Sequence, residues 1–124
     1  MLYTVREAAE KLGIPSSTIR YYDKKGLLPF IERSPSGVRV FTEDDIAHLR
    51  DLLILKNAGF SLKEMAEYVQ LETEGKQSAL LRCEMLKRRC LEVESEIAGL
   101  QDTLEMLKKQ SQRCIAMLED QPGS

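Results

Sequence analysis

From Ala79 to Leu118 the sequence steps by four and three residues without a slip, through Ala79, Cys83, Leu86, Cys90, Val93, Ile97, Leu100, Leu104, Leu107, Ser111, Cys114 and Leu118. A 3.5-residue period held over more than five heptads draws a narrow seam along one helix, not the broad stripe of a globular one. No proline interrupts the stretch before Pro122. At 1.5 Å per residue a helix over 76–119 would be roughly 66 Å long. The rest of a 124-residue chain is too small to cover such a seam. A second copy has to cover it, so the pattern predicts a homodimer through residues 76–119.

The preceding residues read as short helices with marked ends. Thr4-x-x-Glu7 is a capping box, followed by Val5, Ala8, Ala9 and Leu12 at helical spacing; Gly13-Ile14-Pro15 stops that helix. Ser16 is placed to cap a second helix running to about Lys25, with Gly26 as its terminator. Two short helices joined by three or four residues that include a glycine have helix-turn-helix spacing. Phe30-Ile31, the turn formers Ser34-Pro35-Ser36-Gly37, and Val38–Phe41 then read as a small β-hairpin. Thr42, with Asp45 in the reciprocal position, opens a third helix whose stripe includes Ile46, Leu49 and Leu53, and Gly59 ends it. Ser61-x-x-Glu64 opens a fourth, with Leu62, Met65, Ala66 and Val69 on one face. Glu72–Gly75 is a polar break. The expected organisation is a mainly α chain: a winged helix-turn-helix domain over 1–70, a linker at 71–75, a dimerisation helix at 76–119 and a tail at 120–124.

A net charge of −2 argues against a nucleic-acid partner, but its distribution argues the other way. Residues 1–40 carry seven Lys and Arg against four Asp and Glu, whereas residues 71–124 carry eight against ten. An electrostatic footprint is a local property, and here the local one is basic. The N-terminal residues lack the apolar core of a signal peptide, and no apolar run approaches a membrane span, so a cytoplasmic protein with no membrane partner is expected. Three cysteines cannot all pair within one chain, and the cytosol favours free thiols. No phosphate loop, nucleophile–base set or apolar carboxylate pair marks an enzyme.

On the second helix, Ser17, Arg20, Tyr21 and Lys24 fall on one side at i, i+3, i+4 and i+7, while Ile19 points away. A cationic face bearing hydroxyls and an aromatic ring suits a helix lying in a major groove. Arg and Lys neutralise phosphates or read guanine, and Ser, Thr (here Thr18) and Tyr hydroxyls hold phosphates or base edges. The hairpin adds Arg33 and Arg39 as a wing beside that helix. The plainer alternative is a solvated surface helix with scattered charges. Helix-turn-helix spacing, a sided face, a basic hairpin and a dimerising helix occurring together favour the groove-binding one.

The segment "TVREAAEKLGIPSSTIRYYDKKGLLPFIERSPSGVRVFTEDDIAHL" resembles the DNA-binding domain of the MerR family of bacterial transcriptional regulators, chiefly in "TIRYYDKKGLL" and the following "SG-R-FT-DI" pattern. "LKNAGFSLKEMAEYV" resembles the family's second helix pair, so the likeness covers about residues 3–70. The resemblance implies a homodimer joined by an antiparallel coiled coil, each winged head on half of a near-palindrome in double-stranded promoter DNA. It further implies activation by bending and untwisting DNA so that RNA polymerase can engage both promoter elements. Arg20, Tyr21 and Tyr22 match the family's helix contacts and Arg39 its wing contact. Lys63, at the start of the fourth helix, is placed to hold a phosphate with help from the helix dipole. Many relatives carry Tyr where this chain has Val38 and Phe41, which removes two hydroxyls from the expected contact set. Two rivals share these features: an effector-less architectural DNA binder, and a coiled-coil scaffold with a degenerate head.

For an effector, the sequence offers less. The chain ends soon after the long helix, so no appended ligand domain is expected; Cys114 has no second thiol after it, and His48, the lone histidine, is remote in sequence from every cysteine. A metal site of the usual His/Cys kind is therefore not expected, nor a cofactor. Cys83, Cys90 and Cys114 all fall on the seam, where Cys also serves as a small apolar filler. In an antiparallel pair, the register in which Ile97 faces Leu100 of the other chain sets Cys83 opposite Cys114. One heptad along, Cys90 takes its place. Either arrangement makes inter-chain thiol pairs suited to a disulfide or a soft metal. The other candidate pocket, between the long helix and the partner's helices, would be lined by Met65, Tyr68, Leu81 and Met85, an apolar stripe of the kind that is more often core than ligand site.

Overall fold

The computed structural model describes residues 1–31 and 39–120. Five α-helices follow one another: α1 (Val5–Leu12), α2 (Ser16–Lys24), α3 (Glu43–Asn57), α4 (Leu62–Thr73) and α5 (Ala79–Glu119), with a 3-10 turn at Gly75–Ser78. The chain divides into two compact units, Met1–Cys83 and Glu84–Ser124.

In the first unit the helix starts form as their sequences dictate. Thr4 Oγ1 accepts from the Glu7 amide at 3.1 Å while the Glu7 carboxylate accepts from the Thr4 amide at 2.9 Å. Thr42 with Asp45, and Ser61 with Glu64, repeat that reciprocal pair at α3 and α4. Each box satisfies amide donors that the first turn leaves without helical partners. The start of α2 differs from expectation. Pro15, extended at φ −67° and ψ 145°, is the N-cap, and no side chain caps this helix. Ser16 is therefore its first helical residue and not its cap. Beyond the C-cap Lys25, Gly26 turns the chain at φ 75°, a conformation that would strain any residue bearing a Cβ.

The core gathers α1, α2 and α3. Ala8 and Ala9 let α1 approach α2 closely, and Ile19 fills the contact. Leu27, Leu28 and Ile31, which follow α2, are buried with it. From α3 the buried residues are Ile46, Leu49, Leu52 and Leu55; Leu53, expected in the stripe, is only half-buried. From α4 they are Met65 and Val69, while Ala66, expected beside them, is exposed. Helix α4 continues through Thr73, beyond the expected boundary at residue 70, and the break falls at Gly75 (φ 68°). There the buried Ser78 hydroxyl meets the Leu71 carbonyl and accepts from Arg82 Nε at 3.0 Å, and Arg82 also donates to the Gly75 carbonyl.

One long-range pairing escaped the sequence. Tyr3 and Phe41 form an antiparallel bridge, exchanging amide–carbonyl bonds of 2.8 and 2.9 Å. The Tyr3 hydroxyl donates to Glu43, and Lys11 Nζ lies 4.8 Å from the Tyr3 ring centre. This ties the chain start to the entrance of α3. Phe41 is a core residue, 1% exposed, so its missing hydroxyl belongs to the interior and removes no ring-surface contact. Most of the expected hairpin, including Arg33, Val38 and the turn Ser34–Gly37, lies outside the described residues.

Helix α5 contains no buried residue. Its charged side chains support the helix locally in the second unit, where Arg89 pairs with Glu92 at 2.8 Å and Glu96 at 3.1 Å. Ile97, Leu100, Leu104, Leu107 and Leu118, all seam positions, are at least half exposed.

Candidate nucleic-acid interface

Helix α2 presents the face that its spacing predicts. Ser17, Arg20, Tyr21 and Lys24 are all exposed, and Ile19 on the opposite side is 1% exposed. The helix is short enough that its orientation depends on the core below it, through Ile19 and Tyr22. Tyr21 offers nearly half of its surface, and Lys25 Nζ stands 5.7 Å from its ring centre. That contact holds the ring beside a cation.

The structure adds a residue that sequence reasoning missed. Ser17, Thr18, Tyr21, Tyr22 and Lys56 line one concavity of about 300 Å³. Lys56 is the basic residue of α3's last turn, more than thirty positions from α2 in the chain. Folding brings it to the same concavity as the hydroxyl-bearing residues of α2. Helical spacing within a single element could not have found it; only the tertiary fold, in which α3 packs on α1, does.

Tyr22 stands differently from its neighbour. It is 4% exposed and its ring, tilted 58° to that of Tyr21, belongs to the core, with one edge at the rim of the concavity. Burial, followed by the adjacent Tyr21, pushes its phenol above the ordinary value, so the group stays protonated and able to donate. Within the head it supports α2 from beneath.

Arg39 is held rather than free. Its Nε donates to Asp23 Oδ2 at 3.1 Å, its second terminal nitrogen lies 2.7 Å from Asp23 Oδ1, and its first donates to the Ile31 carbonyl at 2.5 Å. The planar guanidinium thus makes a two-pronged pair with the carboxylate on α2's last turn. Lys63 is exposed in the first turn of α4, as expected.

The residues expected around an effector do not form one described site. Met65 is 2% exposed and packs in the core, which removes it from any open pocket. Tyr68 is half-buried, its phenol raised chiefly by burial, then by the Glu72 charge, with Arg82 opposing. Leu81 is exposed; Met85, in the second unit, is half-buried. A smaller cavity of about 150 Å³ in the first unit is lined instead by Pro29, Phe30, His48, Val69, Glu72 and Thr73, none of them from the expected set. Cys83, Cys90 and Cys114 are free and exposed. Among the described residues no group of three or more His, Cys, Asp or Glu is arranged to hold a metal. No helix among them is long and apolar enough to cross a membrane.

Residues 3–72 match the sequence model of the MerR HTH family regulatory proteins, and residues 46–110 match the model described as MerR, DNA binding. The chain belongs to the MerR family. It is a DNA-binding helix-turn-helix transcriptional regulator of that family, which is not a family of enzymes. An uncharacterized HTH-type transcriptional regulator of Haemophilus influenzae is 38% identical over 108 residues, spanning 87% of this chain and 80% of that protein. The regulator CueR of Salmonella typhi is 31% identical over 122 residues, 96% of this chain and 81% of that protein. Among solved structures, HiNmlR, described as a MerR family regulator lacking the sensor domain and bound to promoter DNA, superposes with a TM-score of 0.83 at 36% identity. That match covers 94% of both chains.

Proposed function

We propose that this MerR protein is a sequence-specific, dimeric regulator that reads promoter DNA with the exposed face of α2. The observation that carries the reading is the concavity in which Ser17, Thr18 and Tyr21 of α2 meet Lys56 of α3 beside exposed Arg20 and Lys24. Hydroxyls and cations on one rigid helix can hold phosphates and present Arg20 to base edges at the same time. The DNA-bound state of the similar HiNmlR supports the choice of promoter DNA as partner. Arg33 and Arg39 serve as the wing and Lys63 as a phosphate contact, with Tyr22 supporting the helix and touching DNA at most by its hydroxyl edge. The regulator works in the cytoplasm, by bending and untwisting promoter DNA for RNA polymerase.

Dimerisation through residues 76–119 as an antiparallel coiled coil is supported by the uncovered seam of α5. Leucines spaced along one face and exposed to water favour a second copy, because covering apolar surface gains roughly 25 cal/mol per Å² before the entropy cost of association is subtracted. Effector control, if the seam thiols supply it, runs through Cys83 or Cys90 opposite Cys114 of the other chain. The likeness to a relative described as lacking a sensor domain favours a second reading, in which the protein acts without a ligand. A non-reducing gel before and after mild oxidation, beside Cys114→Ser, separates the two. A covalent dimer lost in the variant supports thiol sensing; its absence in a protein that is dimeric in solution leaves the cysteines as seam filler and turns the search to a small organic ligand or to none.

The test of the DNA reading is affinity for duplex DNA across a salt series. Wild type should weaken steeply with salt as neutralised phosphates release counterions. Arg20→Ala with Tyr21→Ala should lose at least about tenfold in affinity for its own site, since a good bidentate base contact is worth about 1–3 kcal/mol. Unchanged affinity in that variant, or a flat salt response in wild type, would return the chain to the scaffold alternative.

A further inference from the structure

We infer that Asp23 is a specificity-determining residue, a resident counter-ion that occupies the Arg39 guanidinium until a fitting DNA backbone displaces it. The inference deepens the proposed DNA reading and rests on it. Arg39 makes its two-pronged pair with Asp23 at 2.7 and 3.1 Å and spends a third donor on the Ile31 carbonyl. Both side chains are about a quarter exposed, 23% and 25%, so the pair is shielded enough to persist yet open on one edge. Carboxylate and phosphate present the same forked pair of oxygens to a guanidinium, so Asp23 mimics the ligand it competes with.

Its position gives the competition a consequence. Asp23 sits on the last turn of α2, three residues beyond Arg20, on the flank of the DNA-facing side. An acidic residue there repels phosphates, and it cancels one of the cations that a winged head would otherwise present. Attraction to any duplex grows with the number of phosphates neutralised and carries no sequence information. Neutralising Arg39 in the unbound protein therefore lowers affinity for arbitrary DNA. A site whose backbone lies correctly against α2 can take over the guanidinium geometry and recover the contact. Asp23 thus widens the gap between right and wrong DNA.

The experiment uses the full chain and two duplexes of equal length, one selected from a randomised pool against wild type and one of random sequence. Affinities for wild type, Asp23→Asn, Arg39→Gln and the double variant are measured over a salt series. Asp23→Asn should bind the random duplex several-fold more tightly and the selected one little more. Its log-affinity should fall with log-salt more steeply by about 0.9 on the random duplex, the signature of one extra phosphate contact. Arg39→Gln should weaken binding to the random duplex, because it leaves the Asp23 carboxylate unpaired beside the phosphates, and should erase the gain in the Asp23→Asn background. Asp23→Ser repeats the measurement without an amide able to hold Arg39, and circular dichroism verifies that each variant is folded. Equal loss on both duplexes in Asp23→Asn and Asp23→Ser, matching Arg39→Gln, would overturn the inference and make Asp23 a support that aims Arg39. An unchanged salt slope would overturn it as well. Arg20→Ala with Tyr21→Ala, run alongside, reports separately on whether α2 reads DNA at all.

Discussion

Helices α3 and α5 are both continuous, charged and rich in leucine, yet they are held by different things. Helix α3 has 15 residues and buries Ile46, Leu49, Leu52 and Leu55 in the chain's own core, behind a capping box. Helix α5 has 41 residues and buries none. Propensity and short-range ion pairs can keep a long helix formed in part, but most helical stability in proteins comes from packing an apolar face. The contrast separates stability internal to the chain from what, in the proposed dimer, a second copy would supply.

The sharpest break of that contrast is a pair of charges on the seam. Leu100→Asp with Leu104→Asp should abolish the dimer and melt most of the helix beyond residue 84, while the unit Met1–Cys83 stays folded. Sedimentation and circular dichroism read the two effects together. Burying two uncompensated carboxylates would cost several kcal/mol, more than any surface change in the head can. If the double variant stays dimeric with full helicity, α5 is held by something other than its seam.

A smaller effect tests how the helix starts differ. Thr42→Ala removes the side-chain acceptor at the start of α3 and should cost about 1 kcal/mol in thermal or denaturant unfolding. Ser16→Ala should lie within about 0.5 kcal/mol of wild type, because Pro15 occupies the N-cap and Ser16 is already helical. Equal losses in the two variants would mean that the Ser16 hydroxyl caps α2 after all.

These helix starts also show what could be read before any coordinates. The capping boxes at Thr4, Thr42 and Ser61 are local, with partner and acceptor three residues apart, and the sequence alone located them. The sided face of α2 was legible for the same reason. Pairings between distant segments were not. Tyr3 with Phe41, Arg39 with Asp23, and Lys56 in one concavity with Ser17 and Thr18 depend on the tertiary fold of the head. Tyr21 and Tyr22 are a further case: two identical adjacent residues, one half exposed and one 4% exposed, told apart by 100° of helical rotation relative to the core. Met65 is similar: an apolar residue suits a pocket wall and a core equally well, and the fold places it in the core.

The smallest predicted effect concerns Glu72, late in α4, beside the 150 Å³ cavity that it shares with His48 and Phe30. Burial raises its carboxyl above the ordinary 4.5; His48 and Arg82 oppose the shift and Asp51 adds to it. A raised carboxyl means that the native state binds its proton more tightly than the unfolded state does. Stability attributable to Glu72 is therefore greatest at low pH and declines as pH rises from about 4.5 through the native value. At neutral pH its ionised form is a small cost. Glu72→Gln should then stabilise the head at pH 7, by less than about 1 kcal/mol given the solvent screening of a partly exposed group. The gain should shrink to nothing on acidification below about pH 4, where both states of the wild-type carboxyl are protonated. Paired melting curves at pH 7 and at the acid end are enough. Destabilisation of the same size at both pH values would mean that packing by the side chain, not its charge, dominates at this position, and α4 would then owe more to Glu72 than its burial alone indicates.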